Sequence, residues 1–226
     1  MEKDTDTFTE KSNLPENFNL FKNFLFTIVT ITFFLFCVIL YGMILNLRDV
    51  PLKVLLINSG KKNSDNFNII IDRKLFSLYL YSDTTLVKKY RASFGRNLTN
   101  KKKFKEDGAT PVGVYYICEI DTNHKYNKFF KLNYPNESDA VDALRNGLIN
   151  QREFDSIMND LTVGDCPTDK SNLGGNIGIH GIGRFNFFLS NLPFVFNWTD
   201  GSIALSDEHI NEIYSVISKG TKVVIK

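Results

Sequence analysis

Between Phe24 and Leu45 the chain carries no charged residue, and the run is built mainly from Phe, Ile, Leu, Val and Thr. A helix of roughly 20 apolar residues spans the hydrocarbon core of a bilayer, so this run is long enough to cross one. A core helix of that length would show a polar face, whereas here only scattered Thr residues interrupt it. A cleaved signal peptide needs a basic start, a shorter apolar region and small residues at the cut site. Instead the leader carries Glu2, Asp4, Asp6, Glu10 and Glu16, and the exit reads Met43-Ile44-Leu45-Asn46-Leu47. The bulky Phe36 before Cys37 also argues against a lipoprotein site. The pattern therefore predicts a polar cytoplasmic leader over 1–23, one uncleaved transmembrane helix over 24–45, a linker over 46–66 and a single domain over 67–226.

Flanking charge does not orient the span. Lys3, Lys11 and Lys22 precede it, Arg48, Lys53, Lys61 and Lys62 follow it, and the positive-inside rule sees a near tie. The remaining segment of about 160 residues is an ordinary size for one domain with one core. A net charge of +2 gives no nucleic-acid footprint, and Lys101, Lys102, Lys103 and Lys105 read as a solvated loop. His124, His180 and His209 lack metal-ligand spacing with cysteine or carboxylate partners. Cys118 and Cys166 could pair in an oxidising compartment, although nothing in their spacing requires it.

Within the domain, β-type runs come first. Residues 67–71, 75–81, 86–92 and 112–120 are rich in β-branched and aromatic residues, with Ser82-Asp83 at a hairpin tip and Asp107-Gly108 in a loop. Ser138 is placed to cap a helix running through Ile149. Asn150 precedes a second helix, with Glu153 in the capping-box position and Phe154, Ile157, Met158 and Leu161 along one face. Short β segments around 178–180 and 203–205 follow. Ser206 then caps a helix with Ile210, Ile213, Tyr214 and Ile217 inward and His209 at the surface, ending at Lys219-Gly220, and a last strand covers 222–225. The inventory is mostly β with helical decoration, and a β-sandwich or barrel fits it.

Two segments carry glycines and polar residues that packing does not explain. One is Leu173-Gly174-Gly175-Asn176-Ile177-Gly178-Ile179-His180-Gly181; the other is Asn197-Trp198-Thr199-Asp200-Gly201-Ser202-Ile203-Ala204-Leu205. A hydroxyl beside a sharp glycine turn, a histidine elsewhere and free backbone N–H groups are the parts of an acyl-transfer site. From spacing alone, a lone His and a lone Ser in Gly-rich loops are more often satisfied loop residues.

LGGNIGIHG followed by WTDGSIAL resembles the two signature blocks of YkuD-type L,D-transpeptidases, a His-Gly block and a Ser/Thr-x-Gly-Cys block. NIIIDRKLFSLYLY, LVKKYRASFGRN and KEDGATPVGVYYI are similar to the family's earlier strands. LNYPNESDA and GLINQREFDSI resemble a branch that closes its second block with Cys-Ile-Ala-Leu. The resemblance implies a YkuD-like domain that acts on peptidoglycan stem peptides, with neither metal nor cofactor, on the cell-wall or periplasmic side of the membrane. It implies that His180 is the general base and acid, that Ser202 stands at the nucleophile position, and that Gly201, Thr199 and Gly181 support the motif. In the family the nucleophile attacks the carbonyl between meso-diaminopimelate and D-alanine. Ser202 departs from the pattern, because a thiol is partly thiolate near neutral pH whereas an alcohol needs a strong, oriented base. Three readings stay open: a Ser-His enzyme, a silent relative that binds wall peptides, or a Cys-to-Ser trap.

Overall fold

The computed structural model describes residues 16–61, 66–99 and 101–226. Most of the expected leader, up to residue 15, and residues 62–65 of the expected linker lie outside the described residues. The first helix, α1, runs over Glu16–Asn46 and so extends past both ends of the apolar run. Its stretch Leu20–Asn46 has a mean hydropathy of 2.6 over its most apolar window and is only 6% buried there. At 1.5 Å per residue that stretch measures about 40 Å, more than a hydrocarbon core of about 30 Å. The hydroxyls of Thr27 and Thr30 donate to the carbonyls four residues back, so these polar groups are satisfied within the helix.

The expected linker contains a helix that the sequence reading missed, α2 (Leu52–Ser59). Leu52 and Leu56, one turn apart, bury against the domain, and the Leu52 N–H donates to Glu212 at 2.9 Å. Only eight residues long and lacking a side-chain cap, it gave little to read beyond that Leu pair.

Eight strands make one sheet: β1 (Phe67–Asp72), β2 (Ser77–Ser82), β3 (Thr85–Arg91), β4 (Gly113–His124), β5 (Asn127–Leu132), β6 (Gly178–His180), β7 (Ile203–Ala204) and β8 (Lys222–Ile225). Their order is β3-β2-β1-β8-β4-β5-β6-β7. The β1–β8 and β6–β7 pairs are parallel and the others antiparallel. Strand β4 serves both halves. Its first residues, Gly113 to Tyr116, pair with β8, and from Ile117 onward, through a register shift after that residue, it pairs with β5. The two end strands meet, because Ser93 beyond β3 exchanges both backbone hydrogen bonds with Ala204 of β7, at 2.8 and 2.9 Å. The sheet thus curls into a barrel whose edges protect each other. Ile69, Ile71, Leu78, Leu80, Ile117, Phe130, Ile179 and Ile203 fill it from alternate strand positions.

The helices refine the expected boundaries. Asn136, not Ser138, caps α3 (Glu137–Arg145), because its side chain accepts from the Asp139 N–H while the Asp139 carboxylate accepts from the Asn136 N–H. The helix stops at Arg145, short of Ile149, and Gly147 in the left-handed region turns the chain. The second helix, α4 (Gln151–Thr162), has the expected Asn150/Glu153 capping box, and Ile157 buries against Ala140, Ala143, Ile149 and Leu173. A short α5 (Asn186–Ser190) was not expected. The last, α6 (Asp207–Tyr214), is capped by Ser206 as read, but it ends before Lys219-Gly220 where the Ser215 hydroxyl takes the Glu212 carbonyl. A disulfide joins Cys118 on β4 to Cys166 beyond α4, with a Cα–Cα distance of 5.4 Å, and staples the helical hairpin to the barrel.

Candidate active site

The site is set by the register of β6 and β7. Ile179 pairs with Ile203 and His180 with Ala204, both in parallel register. Ile179 and Ile203 are fully buried in the barrel, so by alternation Gly178, His180, Ser202 and Ala204 project to the opposite face. Extending the pairing by one residue sets Ser202 beside Gly178, diagonal to His180. Gly178 offers no side chain to block that diagonal. A Cβ there would lie 2.5 Å from the Phe130 carbonyl and 2.6 Å from the Phe129 ring, so the closeness of β5 to β6 demands glycine. His180 and Ser202 line one cleft of about 350 Å³, together with Tyr126, Phe129, Trp198 and Thr199.

His180 is only 3% exposed. Its Nδ1 lies 2.6 Å from the Gly181 carbonyl, which fixes the proton on Nδ1 and leaves Nε2 as the basic atom of the neutral ring. Tyr126 stacks on the imidazole at 4.8 Å between centroids, Phe129 stacks at 6.1 Å, and Trp198 meets it edge-on at 5.7 Å. Burial pushes the imidazole down to about 4; the Gly181 carbonyl opposes this, while His124 and Lys125 add to it. The ring is therefore neutral at pH 7, but it is a weak base.

The turn before β7 presents Ser202. Gly201 adopts φ 129°, and a Cβ there would come within 2.7 Å of the Ala109 carbonyl. Thr199, almost fully buried, donates to the Ser202 carbonyl at 2.6 Å and accepts from the Gly201 N–H at 3.3 Å, which knits the turn. Arg96 pairs with Asp200 on the outer side. The Ser202 hydroxyl accepts from the Gly178 N–H at 3.2 Å instead of meeting the imidazole. Gly181 sits where the chain leaves β6, packed against Asp207 and the Tyr126 carbonyl, so a side chain there would clash with both.

The structure thus brings His180, Ser202 and Thr199 to one cleft, while the buried Gly201 and Gly181 shape the chain next to Ser202 and His180 without lining it. Sequence reasoning missed Tyr126, Phe129 and the mixed charged lining in which Lys102, Lys105 and Lys125 stand with Glu106, Asp169 and Asp200. Trp198 lay inside the quoted motif without an assigned role. Strand β5, which delivers Phe129, went unread because NKFFKL offers two adjacent Phe in place of alternation. The Lys101–Lys105 run, read as solvated, sends Lys102 inward to Asp107 at 2.9 Å, with both side chains nearly buried.

A family model described as the L,D-transpeptidase catalytic domain, YkuD, matches residues 66–225, and the chain belongs to that family. Its structure is similar to that of the helical cell shape determining protein Pgp2 from Campylobacter jejuni, at 21% identity and a TM-score of 0.44 over 77% of this chain and 55% of that one. It also matches Bd1075 from Bdellovibrio bacteriovorus, at 17% identity and a TM-score of 0.43 over 72% of this chain and 48% of that one. An L,D-transpeptidase from Xylanimonas cellulosilytica matches at 14% identity and a TM-score of 0.41, over 78% of this chain and 70% of that one. The chain spans about half the length of Pgp2 and Bd1075. A comparison with curated proteins found no match.

Proposed function

We propose that the domain carries out L,D-transpeptidase-type acyl transfer on peptidoglycan stem peptides, with Ser202 as nucleophile and His180 as general base and acid. The observation that carries this reading is the β6–β7 register, which sets both side chains on one face across the vacant Gly178 position. In the scheme, a rotation of the Ser202 side chain away from the Gly178 N–H brings Oγ toward Nε2. The hydroxyl gives its proton to Nε2 as Oγ bonds the scissile carbonyl carbon. Backbone N–H groups of the Gly201 turn take the developing oxyanion. The protonated imidazole then returns its proton to the departing D-alanine amine. An acceptor amine or water reverses these steps on the acyl-enzyme.

A second reading is a silent stem-peptide-binding domain. It draws on the imidazole's depressed basicity and on Nδ1 resting against a carbonyl rather than a carboxylate. Incubating the full chain with disaccharide-tetrapeptide and reading products by mass separates the two, with Ser202→Cys and Ser202→Ala alongside. Covalent labelling by a carbapenem gives a readout independent of the natural substrate. Wild type is expected to turn over and label slowly, Ser202→Ala not at all, and Ser202→Cys clearly faster. A folded Ser202→Cys protein that neither labels nor turns over establishes the binding reading.

We further place the domain on the cell-wall side, with α1 as a single membrane anchor and the leader in the cytoplasm. The Cys118–Cys166 disulfide supports this, since such bonds persist in oxidising compartments. A reporter active only in the cytoplasm, fused after Lys226, should stay silent; a signal there removes the cell-wall reading.

A further inference from the structure

The two strand ends of the site are joined by a segment whose composition the acyl-transfer reading does not use. Residues 183–196 hold five Phe, two Leu and one Val, with Arg184 as the single charge. Phe185, Phe187, Phe188, Phe194 and Phe196 are each 56–59% exposed. Contiguous apolar surface of this kind marks a place where something other than water covers the protein.

The fold shows where this surface lies. Asn46, the last residue of α1, donates through Nδ2 to the Ser190 carbonyl at 3.1 Å and to Asn191 Oδ1 at 2.9 Å. One turn earlier, a Cβ on Gly42 would overlap the Asn191 carbonyl, so the helix and the loop touch backbone to backbone. Gly42 lies inside the apolar stretch Leu20–Asn46. From the barrel side, Arg91 at the end of β3 donates to the carbonyls of Ser190 at 2.5 Å and Leu192 at 2.7 Å. The segment is therefore clamped between the barrel and the last turns of α1. Its exposed rings sit at the level where the apolar helix ends. Leu47, Val50, Val54 and Ile57, in the chain just beyond α1, are exposed as well.

We propose that residues 183–196 are a second membrane contact, in which the five Phe side chains enter the lipid leaflet around the exit of α1. The inference rests on reading α1 as a span. A water-soluble partner protein would have to reach a surface already at the depth of Gly42, whereas lipid is there by construction. Aromatic and aliphatic side chains inserted about 5–10 Å into the headgroup and acyl boundary, with polar groups held at the rim, are the pattern of interfacial anchors. Here Arg184, Asn186 and Asn191 supply those polar groups. Docking of this kind holds the cleft at a fixed height above the bilayer, because the inserted segment leads directly from His180 to Ser202.

The test uses the full chain in phosphatidylcholine/phosphatidylglycerol vesicles, with phosphatidylcholine brominated on its acyl chains as the quencher. Phe188→Trp and Phe194→Trp report on the segment, and Phe34→Trp within α1 reports on the span. The native Trp198 signal is subtracted by means of the wild type. Aromatic-for-aromatic changes at exposed positions keep the fold, and circular dichroism checks this. Both segment reporters are expected to emit at shorter wavelength and to lose emission to the brominated lipid to nearly the extent of Phe34→Trp. If Phe34→Trp is quenched and both segment reporters are not, the docking proposal is overturned while the span stands. If Phe34→Trp is itself unquenched in vesicle-bound protein, the span reading fails and docking falls with it. A blue shift without quenching that grows with the protein-to-lipid ratio means that a second copy covers the rings, and this too overturns the proposal.

Discussion

Two histidines in this chain mark two regions built on opposite electrostatic plans. His180 sits in the cleft among Tyr126, Phe129 and Trp198, its ring tethered to the Gly181 carbonyl. His209 sits near the exit of α1, where Nε2 lies 3.0 Å from the Asp49 carboxylate and the ring packs edge-on against Tyr90. Beside it the buried Lys88 bridges Asp49 and Glu212, both at 2.8 Å, and donates also to the Val50 carbonyl. Burial alone would raise the Asp49 carboxyl, but the Lys88 and His209 hydrogen bonds outweigh it and bring it below its ordinary value. Charges at the exit of α1 are thus matched, whereas the cleft leaves its imidazole uncompensated. Matched charge locks an element in place. An uncompensated ring stays neutral and free to exchange a proton with whatever enters the cleft.

The sharpest way to break this contrast is to remove the uncompensated ring. In a Ser202→Cys background, His180→Ala should lower stem-peptide turnover on the order of 10²–10⁴-fold, the usual contribution of a positioned base. His209→Ala in the same background should leave turnover within a few-fold. Equal losses at the two positions, measured by product mass against time, would remove the assignment of the base to His180.

How far this division was legible in the sequence depends on whether a residue's role is local or comes from distant partners. Gly178, His180, Gly181 and the Thr199–Ser202 turn lie in two short blocks, and local backbone demands explain why they stand there. The long apolar helix α1 was legible because an uninterrupted apolar run is a local feature of the sequence. The α4 cap was legible because a capping box is a three-residue device. The partners of His209 and Lys88 lie 160 and 39 residues away at Asp49, so His209 read as a surface residue. Tyr126 reaches His180 only because β4 and β5 form a hairpin, and β5 itself lacked a period. The Cys118–Cys166 pair depends on how the helical hairpin folds back onto β4, which spacing does not encode.

The disulfide sharpens the comparison on the stability side. Closing a loop of 48 residues should stabilise the domain by about 4 kcal/mol through the unfolded chain's lost freedom. Cys118→Ser with Cys166→Ser should therefore lower the denaturation midpoint markedly. Since the bond tethers the helical hairpin and not the β6–β7 ends, carbapenem labelling of the folded Ser202→Cys protein should persist without it. Labelling that vanishes while the barrel stays folded would show that the hairpin shapes the cleft.

The pH response should differ between the two regions as well. His180 titrates at about 4 when folded, against 6.5 as its ordinary value. Between those values the unfolded chain holds the extra proton, so stability rises with pH across the window and is lost as pH falls from 6.5 towards 4. A shift of that size corresponds to about 3 kcal/mol. His180→Gln should flatten this part of the curve, as read by denaturant midpoints at successive pH values. Turnover that needs neutral His180 should hold between pH 7 and 5 and fall only near 4. A fall centred near 6.5 would mean that the ring is solvated, contrary to its 3% exposure.

The smallest effect is expected where charge is matched. Lys88→Met removes the cation between Asp49 and Glu212 and leaves two carboxylates facing each other across a partly buried space. Breaking a fully buried pair costs about 3–5 kcal/mol. The Asp49 side chain is 40% exposed, so solvent screens part of that cost and about 2 kcal/mol is the expected loss. Adding Glu212→Gln should recover part of it, because one of the two uncompensated charges is then gone. The local consequence is more specific than the global one. Asp49 and Val50 follow the exit of α1, so loosening their hold on β3 should raise hydrogen exchange in residues 47–56 before it does so in β6 or β7. If exchange rises first around His180 instead, the two regions are coupled through β3 and the Ser93–Ala204 pairing, and the cleft is not independent of the exit of α1.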